Sequence, residues 1–220
     1  MLTKADVCKE VYEKKIIAIL RGVDPDKVVQ TANALYAGGI TMLEVTFNPG
    51  EKENQYQSTI ISISRICKEA DERLIVGAGT VLTPEMVVYA HNAGAKFVIT
   101  PTVNEEVIRI AGSLGMMTMP GAYSATEINQ AYEYGADFVK VFPASEAGPA
   151  YFKAVRGPLG HIPLTAVGGV NENNAAEFLK AGAVGLGVGG NLVDKALINA
   201  GDFNGITEIA KRYVSKIKGI

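Results

Sequence analysis

Short apolar runs rich in valine and isoleucine recur along the chain, each followed by a segment with the period of an amphipathic helix. Eight such runs stand out: Ile16–Leu20, Met42–Phe47, Leu74–Val76, Phe97–Thr100, Met116–Met119, Phe138–Phe142, Leu164–Val167 and Val184–Val188. Their starts lie about two dozen residues apart, enough for one strand, one helix and two short loops, so the pattern predicts βα units. The runs lack the polar alternation of half-exposed strands, as expected of parallel strands wrapped by helices. Eight units in 220 residues predict an α/β chain, a single (β/α)8 barrel over residues 1–220, with an extra N-terminal helix from Lys4 to about Lys14. A doubly wound open sheet is the competing arrangement, because periodicity alone does not prove closure.

Helix ends follow the same rhythm. Asp24-Pro25 and Thr83-Pro84 place a capping side chain before a proline, and Asn104-Glu105-Glu106, Ser124–Glu127 and Asn171–Asn174 are read as further starts. Ala37-Gly38, Ala93-Gly94 and Ala181-Gly182, with Gly135 after Tyr134, suit a left-handed glycine that stops a helix before the next strand. A last helix, about Phe203 to Lys216, reads as barrel packing. No linker, low-complexity tract or coiled-coil heptad interrupts the pattern.

Charge narrows the partners. Lys and Arg number 21 against 23 Asp and Glu, for a net charge of −2, so there is no basic field for capturing nucleic acid or an anionic membrane. An anionic ligand must be held locally. Cys8 and Cys67 cannot build a disulfide framework and have no metal-ligand neighbours. Neither a metal nor a cofactor is expected, and a reducing cytoplasm fits. The N-terminus lacks the apolar run of a signal peptide and no stretch reaches 18 apolar residues, so a secreted or membrane-spanning protein is not expected.

Against buried strands, two charges need a reason, because desolvating an unpaired charge costs several kcal/mol. Lys140 sits within Phe138–Phe142 and Glu44 within Met42–Phe47. They form either a buried ion pair, or a lysine that snorkels outward, or a site. A lysine in an apolar pocket has a lowered pKa and attacks a carbonyl as the free amine, while a nearby carboxylate moves protons. That is Schiff-base chemistry, which needs no metal. The two histidines, His91 and His161, are 70 residues apart and read as surface positions. Arg21, at the end of the first run, is either a solvated loop residue or a fork for a substrate carboxylate. Thr80 ends Gly77–Thr80, where its hydroxyl can orient a substrate oxygen. The last two strands end in Val167-Gly168-Gly169-Val170 and Gly187-Val188-Gly189-Gly190-Asn191. Such glycines permit tight turns, and their unobstructed amides also suit a phosphate in the loops after strands 7 and 8 of a barrel. Their spacing is not that of a dinucleotide fingerprint.

With these residues in hand, the chain resembles the 2-keto-3-deoxy-6-phosphogluconate (KDPG) and 4-hydroxy-2-oxoglutarate (KHG) aldolase family of class I aldolases, from about Ile16 to Lys216. The segments that carry the resemblance are Ile17–Gly22, Leu43–Phe47, Gly77–Leu82, Thr100-Pro101, Pro120-Gly121, Val139–Ala144 and Val167–Val170. The resemblance implies Lys140 as the Schiff-base lysine and Glu44 as the proton shuttle. It implies a pyruvate pocket lined by Thr80, Pro101 and Phe142, a phosphate cradle at Gly168, Gly169, Gly189 and Gly190, and a homotrimer. Substrate and product would be a phosphorylated keto acid and pyruvate. Gluconate-type members carry an arginine where this chain has Asn48 and a threonine where it has Val167. The related 2-keto-3-deoxy-6-phosphogalactonate (KDPGal) aldolases look like this chain at both points and have an arginine matching Arg21. Asn191 stands where some relatives have a phosphate-binding serine, and its amide can donate. The expected activity is cleavage of KDPG, with KHG as a further substrate and the galactonate epimer as the alternative. A phosphosugar epimerase or isomerase, and a silent sugar-phosphate-binding barrel, are the readings with different chemistry.

Overall fold

The computed structural model describes residues 2–48, 56–69 and 73–220. Its strands are β1 (Ile16–Leu20), β2 (Met42–Thr46), β3 (Ile75–Gly79), β4 (Phe97–Ile99), β5 (Met117–Met119), β6 (Gly121–Ala122), β7 (Val139–Val141), β8 (Leu164–Val167) and β9 (Gly185–Val188). Around them run the helices α1 (Lys4–Lys14), α2 (Val28–Ala37), α3 (Tyr56–Glu69), α4 (Pro84–Asn92), α5 (Glu105–Ser113), α6 (Ala125–Glu133), α7 (Ala144–Leu159), α8 (Ala175–Lys180), α9 (Lys195–Ala200) and α10 (Phe203–Ile217). All ladders are parallel, in the order β5-β4-β3-β2-β1-β9-β8-β7-β6.

The expected eight strands are found as nine segments because the fifth is broken at Pro120, which has no N–H to give to a ladder. β5 pairs with β4 and β6 with β7. Bonds on both flanks of the break close the barrel: Thr100 N donates to Met119 O at 3.3 Å, while Phe138 N and Lys140 N donate to Thr118 O at 3.1 Å and Pro120 O at 2.9 Å. The open-sheet alternative is thereby excluded, and the (β/α)8 expectation holds. The third run is displaced, with β3 spanning Ile75–Gly79 where Leu74–Val76 was expected. Its glycines carry no hydrophobic signal, although Gly77 and Gly79 are inward positions at a strand's period of two.

Inward and outward residues alternate along each strand. Ile16, Ala18 and Leu20 face the helices, while Ile17 joins Met42, Ile75, Phe97, Ile99, Met117, Met119 and Phe138 in a second core inside the barrel. Val7 and Val11 of α1 belong to that inner core, so the N-terminal helix closes the floor of the barrel. It is fastened there by Thr41 Oγ1 donating to Glu10 Oε1 at 2.6 Å, by a Lys4–Asp137 ion pair at 2.9 Å and by Leu186 N donating to Lys15 O at 2.6 Å. Gly77 leaves room for Phe97, whose ring would lie 2.2 Å from a Cβ at that position.

Thr83, Asn104 and Ser124 cap helices as expected, Ser124 in a reciprocal box with Glu127. Asn171–Asn174 leads into α8 as expected, with Asn174 at its N-cap and Ala175 its first residue, whereas Asp24-Pro25 lies in a turn in which Asp24 Oδ1 accepts from Asp26 N, and α2 starts later, at Val28. Gly94, Gly135 and Gly182 take positive φ after their helices, but after α2 it is Gly39, not Gly38, that does so. Gly38 instead provides the close approach of α10, where Thr207 Oγ1 also donates to Ala34 O at 2.9 Å. Among the described residues no helix is long and apolar enough to cross a membrane.

The α2–α10 contact joins the first and last units of the ring. A Cβ on Gly38 would lie 2.3 Å from Ala210 Cβ and 2.9 Å from Thr207 O. Gly38→Ala is therefore expected to cost ~1–3 kcal/mol through overpacking, measured as a lower urea midpoint with an unchanged slope.

Candidate active site

At the C-terminal ends of the strands, opposite the floor made by α1, lies a cavity of about 240 Å³. It is lined by Arg21, Glu44, Thr80, Pro101, Lys140, Phe142, Val167, Gly168, Gly169, Gly189, Gly190 and Asn191, with Ile19, Val170 and Gly187 added. Every site residue expected from the sequence thus faces one space. A larger cavity of about 610 Å³ shares Arg21 and includes Asn48, but no buried ionisable side chain lines it. Asn48 is set apart from the smaller cavity, where the chemistry is. His91 and His161 are exposed, and Cys8 and Cys67 are free thiols.

Glu44 and Lys140 stand one inward step above the apolar layer, Glu44 beside Ile19 and Gly77, Lys140 beside Gly121 and Thr165. Lys140 is 6% and Glu44 2% exposed, which rules out a snorkelling lysine. Among the described residues no ion pair within 4.0 Å joins them, so the buried-pair alternative is also not realised. The Lys140 ammonium instead sits 4.7 Å from the centroid of the Phe142 ring. Glu44 Oε2 is buried without a hydrogen-bond partner. Gly79 makes its carboxyl possible, since a Cβ there would fall 1.7 Å from Oε1.

Burial pushes the Lys140 pKa below its ordinary 10.5; the Glu44 charge opposes the shift and the Arg21 charge adds to it. Burial also pushes Glu44 above its ordinary 4.5, against the pull of Lys140 and Arg21. Burial thus shifts the amine and the carboxyl alike toward their neutral forms. Arg21 itself makes no ion pair among the described residues. Thr80 has φ +57°, a costly conformation for a β-branched residue, and of the kind that clusters at ligand sites.

At the other wall, Gly168 and Gly169 have φ of +92° and +74°. Side chains there are excluded by neighbours: a Cβ on Gly168 would meet the Phe142 ring at 3.1 Å, and one on Gly169 would meet Ser145 Cβ at 2.4 Å. Around Gly190 the space is open. The Asn191 amide is engaged with Val170 O at 3.1 Å, tying the loops after β8 and β9 together. Sequence reasoning missed Asn174, which reaches back to Gly169 O at 3.0 Å, because its turn was read as a helix start.

The model of the KDPG and KHG aldolase family matches residues 7–209. The chain belongs to this family. It is 38% identical to the 2-dehydro-3-deoxy-6-phosphogalactonate aldolase of Escherichia coli over 178 residues, covering 80% of this chain and 83% of that one. With the 2-dehydro-3-deoxy-phosphogluconate aldolase of Pseudomonas aeruginosa the identity is 35% over 212 residues, covering 96% and 91%. The KDPG aldolase of Legionella pneumophila, solved with pyruvate captured as a covalent carbinolamine, superposes with a TM-score of 0.83 at 26% identity, covering 93% of this chain and 96% of that one.

In this aldolase-family barrel the lysine is held against its own preference for water, and the pH dependence of stability reports it. Below pH 10.5 the unfolded chain keeps a proton on Lys140 that the native state tends to lose, so the native state is penalised and stability rises with pH through the window below 10.5. Lys140→Met is expected to raise the thermal midpoint at pH 7, with an advantage that shrinks as pH approaches 10.5. Calorimetry across that range is the check.

Proposed function

We propose that this chain is a class I aldolase that cleaves 2-keto-3-deoxy-6-phosphogluconate to pyruvate and D-glyceraldehyde 3-phosphate, with 4-hydroxy-2-oxoglutarate as a further substrate. The observation that carries the reading is a buried lysine and a buried carboxyl in one cavity, unpaired and each shifted toward its neutral form. Neutral Lys140 adds to the C2 keto carbon, and the resulting carbinolamine loses its hydroxyl as water on taking a proton from Glu44, leaving an iminium. The Glu44 carboxylate then takes the proton of the C4 hydroxyl. The C3–C4 bond breaks, its electrons pass to the iminium to give an enamine, and the aldehyde leaves. Glu44 returns the proton to C3, and water releases pyruvate and the free amine. Arg21 binds the carboxylate, Thr80, Pro101 and Phe142 hold the pyruvoyl unit, and the glycine loops at Gly168, Gly169, Gly189, Gly190 and Asn191 take the phosphate.

The galactonate epimer is a second reading, favoured by Val167. The epimers differ at the C4 hydroxyl, and an apolar side chain lining the cavity cannot read that hydroxyl by a hydrogen bond. We further propose a homotrimer and, from the two free thiols, a cytoplasmic setting.

Incubation with pyruvate and borohydride is expected to leave a reduced adduct on Lys140, located by peptide mapping. Lys140→Ala should lose both adduct and turnover with the fold retained, and Glu44→Gln should lower kcat by about 10²–10⁴-fold. An epimerase or a silent binder would give no adduct. Cleavage rates on the two epimers then choose between them.

A further inference from the structure

A loop built on two left-handed glycines has no side chains of its own to keep its N–H groups aimed at a ligand. In the loop after β8 three successive carbonyls are held by groups outside the glycine pair. Gly168 O accepts from Ser145 N at 2.9 Å. Gly169 O accepts from Asn174 Nδ2 at 3.0 Å and from Asn171 Nδ2 at 3.4 Å. Val170 O accepts from Asn191 Nδ2 at 3.1 Å. In a trans peptide the N–H points opposite to the carbonyl of the same unit. Holding Gly168 O and Gly169 O therefore aims the N–H groups of Gly169 and Val170 away from Ser145 and Asn174. Both residues line the cavity, and among the described residues neither N–H makes a hydrogen bond within the protein.

Asn174 has a further grip. Its Oδ1 accepts from Asn171 N at 2.8 Å, so one side chain fixes the loop at two peptide units. It does this from the N-cap position of α8, where an asparagine ordinarily bonds an N–H of its own helix, and it makes no such bond. Its hydrogen-bonding capacity is directed entirely backward, onto the loop.

We propose that Asn174 is a positioning residue for the phosphate group of the substrate, acting through the Gly169–Val170 peptide, with Asn191 as the brace from the loop after β9. The inference rests on the reading of these glycine loops as a phosphate site. Asn174→Ala removes both grips without adding a charge, whereas Asn174→Asp keeps an acceptor for Asn171 N, loses the donor to Gly169 O and adds a negative charge, so the alanine variant isolates the positioning role. The measurements are the inhibition constant of inorganic phosphate, KM and kcat for the phosphorylated substrate, and the rate of borohydride-trapped pyruvate adduct, a reaction that involves no phosphate. Both variants are expected to raise the phosphate inhibition constant and KM about tenfold, well beyond any change in kcat or in the adduct rate. Equal losses in phosphate affinity and adduct rate would mark a merely structural role and overturn the proposal. Gly190→Asp serves as the reference, since it places a carboxylate in the open space beside the cradle. If it weakens phosphate inhibition while both Asn174 variants leave it unchanged, the phosphate site stands and the positioning role falls. If the wild-type protein is not inhibited by phosphate, or no variant alters that inhibition, the phosphate reading falls and the proposal with it.

Discussion

Everything at the mouth of this barrel follows from keeping two ionisable side chains out of water without letting them pair. A contact ion pair between Lys140 and Glu44 would lock the amine as an ammonium and the carboxyl as a carboxylate. Separated, each is governed first by desolvation, and both drift toward neutrality. The surroundings sustain that separation. Gly79 yields its side-chain volume to the Glu44 carboxyl, Gly121, paired with Lys140, makes room for the backbone of Thr100 and Pro101, and the Phe142 ring supplies a face for the amine.

Much of this was legible in the sequence because burial and charge conflict openly there. A lysine inside Phe138–Phe142 and a glutamate inside Met42–Phe47 violate their surroundings, and the βα rhythm puts both at one end of a barrel. Residues whose role depends on a distant partner were not legible. Pro120 breaks a strand whose two pieces are paired by the distant β4 and β7, one on each side, and the two-residue β6 has no pattern of its own. Asn174 begins α8 as its sequence suggests, but its bond to Gly169 runs backward along the chain, where that pattern does not show it. Gly38 and Gly39 exchange their expected parts because α10, distant in sequence, needs the space over Gly38. The strain at Thr80 is a backbone property that no residue type announces.

The two walls of the cavity also divide the electrostatics. One holds side chains whose protonation matters, and the other is backbone dipole braced by amides. Asn174 and Asn191 carry no charge, so the peptide groups they orient offer attraction to an anion without adding another cation near Glu44, which a third neighbouring charge would pull back toward the ionised form. Division of labour of this kind keeps the anion-facing loops after β8 and β9 from adding charge that would retune the proton chemistry.

Among the described residues α1 closes the lower end of the barrel, and the cavity lies at the opposite end, at the C-terminal ends of the strands. On the proposed chemistry a substrate enters keto acid foremost, trailing its far end past the glycine loops, and its fragments leave in reverse order. The outer piece departs first while the inner piece is still tethered, and the last step is the untethering of the fragment at the bottom. On that reading, a helix outside the site bears on the sequence in which products emerge.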